Sequence, residues 1–131
     1  MLHPNQFKVN EAWIAFRLND EPIVTDRDGS FHCMALMDAA SCFLLGSELY
    51  PASMAELPGP GCKRLLMAGE AHKQQLPLTL FLAREQVWGE LIREATRRKI
   101  EVVSVPESEL LIFIGEARQS YAEHMQGERE R

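Results

Sequence analysis

The sequence predicts one α/β domain in which helices cover a mixed five-stranded sheet, and three observations support this prediction. A chain of 131 residues fits a single domain. Two apolar runs, residues 31–37 and 42–50, are joined by a few small or polar residues, a spacing typical of a hairpin. Residues 78–105 have the pattern of a strand, an amphipathic helix and a second strand, and a right-handed crossover would make those two strands parallel.

The first half of the chain has the short period of β-structure. Residues 11–18 (EAWIAFRL) are predicted to form a strand, and residues 23–25 (IVT) a short return strand after a turn. The runs 31–37 and 42–50 follow, and Pro51 ends the second of them. The three long strands are therefore expected to be antiparallel.

The second half of the chain has mainly the period of α-helices. Strands are predicted over 78–83 and 100–105, and helices over 62–75, 84–99 and 107–125. The two later helices are expected to bury one apolar stripe each, formed by Val87, Trp88, Leu91, Ile92 and Ala95 and by Leu110, Leu111, Ile114, Ala117 and Tyr121.

These elements predict one domain over residues 1–131. Its core is expected over about residues 12–125, and the polar stretch 126–131 is expected to be a solvated tail.

Composition limits the expected partners and location. A net charge of −5 and a pI of about 5.4 argue against a general phosphate-binding surface, so nucleic acid is not an expected partner. Cys33, Cys42 and Cys62 lack the close spacing of a zinc site, and their odd number predicts reduced thiols in a cytoplasmic protein. No apolar stretch is as long as a membrane span, and no signal peptide is expected.

Asp38 is the charged residue between the two apolar runs, in MALMDAASCFLLG (34–46). Such a carboxylate could be catalytic, at the end of a core strand, or it could belong to a turn between paired strands. Asp commonly accepts backbone N–H bonds within its own turn, which favours the second interpretation.

The order of elements resembles the ribonuclease H-like fold, and within it the catalytic core of integrases and transposases. The hairpin MALMDAASCFLLGSELYP carries the likeness most directly, and PLTLFLAREQ and IEVVSVPESEL resemble the parallel strands that follow in that family. The outline is also similar to that of uncharacterised bacterial domains. The resemblance implies a ribonuclease H-like fold over roughly residues 12–125.

In that family three carboxylates hold two metal ions for an attack on a phosphodiester. The first acid would fall on Phe16 or a neighbour, and the second on Ala83 or Arg84, with Glu85 slightly late. Glu116 is a fair match to the third. The resemblance therefore implies the fold without the acidic triad, with no catalytic residue, no bound cofactor and no metal ligand.

A non-catalytic binding or assembly domain is the function that these observations favour. A homo-oligomer, most simply a dimer, is expected because symmetric dimers are the commonest assemblies, and helix 84–99 with Trp88 is the predicted contact surface. A protein partner is also compatible with the sequence. The alternative is a divergent nuclease or phosphotransferase that binds Mg²⁺ or Mn²⁺ through Glu85, Glu116 and a displaced Asp38 or Asp20.

Overall fold

A computed structural model describes residues 1–19 and 21–129, with side chains up to residue 125. The described residues form six strands: β1 (Ala12–Arg17), β2 (Ile23–Thr25), β3 (Gly29–Asp38), β4 (Leu44–Pro51), β5 (Thr79–Ala83) and β6 (Glu101–Val105). They also form three α-helices: α1 (Gly59–Lys73), α2 (Gly89–Arg97) and α3 (Leu111–Arg129). Short 3-10 helices occupy Pro4–Gln6 and Glu107–Glu109.

One mixed sheet contains all six strands. β3 pairs antiparallel with β1 on one side and with β4 on the other, and β1 and β6 pair parallel with β5. The five longer strands form the predicted mixed sheet. Their order is β4-β3-β1-β5-β6. The sixth strand, β2, is short and extends the sheet by pairing with the first residues of β3.

β1 is the centre of this sheet, and both of its faces are buried. Trp13 and Ala15 belong to a core cluster on the side of α1 and α2, whereas Ile14 and Phe16 belong to a second cluster on the side of α3. A strand covered on both faces is expected to be almost continuously apolar, as β1 is. Phe7, which precedes the predicted core, packs edge-on against Phe81 in the α3-side cluster.

The turn between β3 and β4 is organised by Asp38. Its Oδ2 accepts hydrogen bonds from the Ser41 backbone N–H at 2.9 Å and from the Ser41 hydroxyl at 2.7 Å. Its backbone C=O accepts a bond from the Cys42 N–H at 2.8 Å. Asp38 therefore has the turn role predicted from the sequence.

The two later helices begin after the predicted residues, and this changes which side chains they bury. Residues 84–88 form a turn before α2, and a 3-10 turn at Glu107–Glu109 delays α3 to Leu111. Val87, Ile92 and Leu111 are exposed, against the prediction, whereas Glu94 and Phe113 are buried. α3 also continues past the predicted end at residue 125, and residues 130–131 of the predicted tail lie outside the described residues.

Trp88 is part of the core and is unavailable as a contact surface. Its side chain is 5% exposed, and its indole Nε1–H donates to the Ala83 carbonyl oxygen at 2.7 Å. A buried tryptophan usually satisfies its N–H in this way. The prediction that Trp88 takes part in a contact surface on helix 84–99 is therefore wrong.

Candidate functional site

The carboxyl edge of the sheet, where the parallel strands β1 and β5 end at Arg17 and Ala83, is the place to look for a site. Ligands of open α/β sheets commonly bind beyond the carboxyl ends of parallel strands. The register pairs Ala15 with Leu82, so Phe16 and Ala83 lie side by side at this edge. The two sequence positions that match the first two acids of the resembled family are thus neighbours in space.

Both positions are apolar and buried in the α3-side cluster. Phe16 is 2% exposed and Ala83 is 3% exposed. Divalent ions such as Mg²⁺ need oxygen ligands, and neither side chain has one. The side chains at these positions therefore do not fit a metal pair.

Two carboxylates do lie at the carboxyl edge, but other groups already bind them. Glu85, in the turn after β5, accepts the backbone N–H of Glu107 at 3.0 Å and 3.2 Å. The Glu107 carboxylate accepts a hydrogen bond from Arg118 Nη2 at 2.7 Å. Arg118 also donates through Nε to the Arg17 carbonyl oxygen at 3.0 Å. The Arg118 guanidinium, which carries a permanent positive charge, therefore links the end of β1 to the 3-10 helix that precedes α3.

Glu116 lies on α3, two residues before Arg118. It lines a groove of about 460 Å³ between α3 and the β3–β4 hairpin, together with Met37, Cys42 and Leu44. Burial, with the nearby charges of Asp38 and Glu116, raises the pKa of the Cys42 thiol. Arg118 is the α3 residue that forms hydrogen bonds at the carboxyl edge, to Arg17 and Glu107.

Asp38 lies at the opposite end of the sheet from Glu85. It pairs with Trp13 across β1, and Trp13 pairs with Leu80 at the start of β5. From Leu80 the strand runs three more residues to Ala83, about 10 Å at about 3.3 Å per residue, before the turn that contains Glu85. The structure therefore does not bring Asp38, Glu85 and Glu116 together, and Asp20 lies outside the described residues.

No group of three or more His, Cys, Asp or Glu side chains within residues 1–19 and 21–125 is arranged to hold a metal ion. Sequence reasoning identified the apolar positions at the carboxyl edge but missed Arg118 and Glu107. No sequence pattern marks Arg118, because its partners are the Arg17 carbonyl on β1 and the Glu107 carboxylate in the 3-10 helix before α3.

The three cysteines are free thiols. Cys62 is fully buried at the start of α1, and its thiol hydrogen bonds to the Leu57 carbonyl oxygen at 3.4 Å. Burial, with the neighbouring carboxylates of Glu56, Glu90 and Glu94, raises its pKa to about 12. Burial also raises the pKa of Cys33. A nucleophilic cysteine needs a lowered pKa, so these thiols have the opposite environment.

Two solved structures of retroviral proteins share this fold. One is the HTLV-2 integrase catalytic core domain in complex with magnesium, in its dimeric form, with a TM-score of 0.53, 11% identity, and coverage of 83% of this chain and 82% of that chain. The other is a simian T-cell lymphotropic virus intasome in complex with PP2A regulatory subunit B56 gamma, with a TM-score of 0.51, 13% identity, and coverage of 80% of this chain. This chain spans 36% of the matched chain of that intasome.

The fold class is therefore that of the retroviral integrase catalytic core, which is ribonuclease H-like. At such low identity the likeness extends to the fold and not to the activity. No family model matches the sequence, and no curated protein sequence matches it. None of the helices in the described part of the chain is long and apolar enough to cross a membrane.

Proposed function

We propose that this protein is a non-catalytic ribonuclease H-like domain that serves in binding or assembly and works as a homodimer. The observation that carries the proposal is the chemistry of the carboxyl edge. The resemblance puts the family's first two acids at Phe16 or a neighbour and at Ala83 or Arg84. Phe16 and Ala83 are buried and apolar, and at the same edge Arg118 binds the Arg17 carbonyl and Glu107. Two apolar side chains offer no ligand to a divalent ion, and the positive charge of the Arg118 guanidinium repels one.

We assign self-association to the outer edge of β4 and to the adjoining groove between α3 and the β3–β4 hairpin. β4 is an edge strand whose outer side has no partner strand among the described residues. On its α3 side, Leu49 is 60% exposed, and Leu44 is also exposed where it lines the groove. Edge strands with exposed apolar side chains readily pair with another chain.

A second copy of this chain is the occupant that we propose for this surface. An isologous contact would place β4 of one protomer beside β4 of its partner and would cover both Leu49 side chains at once. The dimeric form of the HTLV-2 integrase core supports self-association of this fold in general. The three free cysteines further support a cytoplasmic, reducing location.

Calorimetric titration with Mn²⁺ tests the non-catalytic part of the proposal. The wild-type protein and the variants Glu85→Ala, Glu116→Ala and Glu123→Ala are titrated in parallel. Glu123 is the matched control, because it is an exposed glutamate on the same helix as Glu116 and accepts a hydrogen bond from Gln119. We expect no saturable binding with a Kd of about 1 mM or tighter in any of the four proteins.

The alternative function, a divergent metal-dependent nuclease or phosphotransferase, predicts a different result. Saturable Mn²⁺ binding that disappears in Glu85→Ala or Glu116→Ala but persists in Glu123→Ala would show a rebuilt carboxylate site. That outcome would overturn the proposal, and Mn²⁺-dependent cleavage of a DNA duplex by the wild-type protein would then be the next measurement.

A further inference from the structure

A second cavity lies at the amino edge of the sheet, where β1 and β5 begin and β3 ends. It has a volume of about 320 Å³ and lies between the β3–β4 turn and the end of α1. Its polar lining includes Asn10, Asp38, His72 and Lys73, and its apolar lining includes Val9, Phe43 and Leu45. This volume is at the small end of the range for ligand pockets, and the mixture of an apolar wall with a few polar groups is typical of them.

Asp38 is the unusual group in this cavity, because it is a buried charge without an opposite charge. The residue is 3% exposed. Its carboxylate accepts three hydrogen bonds, from the Asn10 N–H at 2.7 Å and from the Ser41 N–H and hydroxyl, and all three donors are neutral. Asp38 forms no ion pair with any described residue. A carboxylate offers about four acceptor sites, so one remains for a further donor, and a cationic donor would compensate the buried charge.

Lys73 supplies the opposite charge at another wall of the same cavity. It is the last residue of α1, is exposed, and pairs with no carboxylate in the described part of the chain. The cavity thus presents an anionic group on its buried side and a cationic group on its exposed side.

The walls between these two charges are held in place by specific bonds. Asn10 donates through Nδ2 to the Gln75 carbonyl oxygen at 3.0 Å and accepts the indole N–H of Trp13 at 2.8 Å. His72 Nε2 lies 3.1 Å from the Leu45 carbonyl oxygen, and its ring packs edge-on against Phe43 at 5.4 Å. A cavity cross-linked in this way exists before a ligand arrives, which lowers the entropy cost of binding.

The backbone around the cavity is also unusual. Within residues 1–19 and 21–129, four non-glycine residues have a left-handed φ. Asn10, at 68°, lines this cavity, and Cys42 at 59° and Gln74 at 54° are the chain neighbours of its lining residues Phe43 and Lys73. Such conformations cost free energy and persist where the surrounding structure imposes them, often at binding sites.

We propose that this cavity binds a small aliphatic zwitterion of the amino-acid type. The ammonium group of the ligand donates to the free acceptor site of Asp38, and its carboxylate pairs with Lys73. Its aliphatic side chain packs against Val9, Phe43 and Leu45. The site lies at the opposite end of the sheet from the carboxyl edge, and it does not depend on whether the protein is catalytic or dimeric.

Three probes of matched shape test this proposal by calorimetric titration. L-Leucine carries both charges, isoamylamine has only the ammonium, and isocaproate has only the carboxylate. We expect saturable binding of L-leucine with a Kd of about 1 mM or tighter, weaker binding of isoamylamine, and no measurable binding of isocaproate, because the only strong anchor left for isocaproate is the exposed Lys73.

Two separate lysine substitutions on α1 serve as the test variant and its control. Lys73→Gln is expected to weaken L-leucine binding about tenfold, the loss of one charge-assisted contact, and to leave isoamylamine binding unchanged. Lys63→Gln, an exposed lysine on the same helix outside the cavity, is expected to change neither. Asp38→Asn is expected to abolish binding of both amines if circular dichroism shows that it folds. If it does not fold, the three probes and the two lysine variants decide the result.

The proposal is overturned if L-leucine does not bind saturably in the millimolar range. It is also overturned if isocaproate binds as tightly as L-leucine, or if Lys63→Gln weakens binding as much as Lys73→Gln.

Discussion

At the scale of single residues, His32 is a half-buried residue of β3 with one unsatisfied polar atom. Its Nδ1 is buried without a hydrogen-bond partner among the described residues. Its ring packs at a tilt against Tyr50, with 5.4 Å between the ring centroids. Burial, with the positive charge of Arg17 nearby, lowers the pKa of His32 from its ordinary value of 6.5. The neutral imidazole is therefore the form that the folded protein favours.

His32 is expected to make the protein less stable in mild acid. Because its pKa is lower in the folded than in the unfolded state, the unfolded chain binds more protons, and stability falls as the pH drops below about 6.5. Urea unfolding between pH 7.5 and pH 5 should show this fall, and His32→Phe should reduce it. An equal slope in wild type and His32→Phe would contradict this account.

At the scale of elements, the packing of α1 on the sheet depends on Gly69. A Cβ at this position would lie 2.7 Å from Trp13 Cη2 and 2.8 Å from Leu36 Cδ2. Both side chains are fully buried and have no room to move. Glycine therefore lets the helix approach β1 and β3 more closely than any other residue could.

Gly69→Ala is expected to destabilise the protein although alanine is the better helix former. The clash with Trp13 costs about 1–3 kcal/mol and exceeds the gain of about 1 kcal/mol in helix propensity. Gly115→Ala in α3 is the matched control, because a Cβ there meets nothing within 4 Å, and it should stabilise by about 0.5–1 kcal/mol. Urea unfolding midpoints of both variants provide the measurement, and a stabilised Gly69→Ala would refute the packing argument.

The elements differ in how well the sequence predicts them. β3 and β4 were predictable because their apolar runs and the intervening turn at Asp38 are local signals. The starts of α2 and α3 were not, because they depend on tertiary bonds such as that from Trp88 to Ala83 and on a 3-10 turn before Leu111. A shift of a few residues rotates the buried stripe, so Phe113 is buried where Leu111 was expected.

The candidate sites also divide into parts that have local sequence signals and parts that depend on tertiary contacts. The resemblance was enough to direct attention to Phe16 and to Ala83 or Arg84, because these residues lie at the ends of two strands that are local signals in the sequence. The bond of Arg118 to the carbonyl of Arg17 could not be predicted, since it joins residues 101 positions apart. The amino-edge cavity likewise requires the end of α1 to meet the β3–β4 turn, which no local pattern specifies.

At the scale of the whole molecule, self-association through β4 predicts a concentration-dependent mass. Sedimentation equilibrium of the wild-type protein should give twice the monomer mass of 14.9 kDa at high concentration. Leu49→Glu should shift the equilibrium to the monomer, because it would place two carboxylates in the apolar contact. Leu78→Glu is the matched control, since Leu78 is 70% exposed and lies just before β5, outside both β4 and the groove. A monomeric wild type, or equal effects of the two variants, would contradict the assigned interface.

The position of β1 in the sheet affects how the chain folds as it leaves the ribosome. β3 can pair with one side of β1 early, but the other neighbour of β1, β5, begins only at Thr79. At a synthesis rate of about 5–20 residues per second, the apolar strand Ala12–Arg17 waits several seconds for that partner. During this interval one edge of β1 has no partner strand, which makes the nascent chain a target for a chaperone. The strand that is most deeply buried in the folded protein is therefore exposed to wrong pairing while the chain is being made.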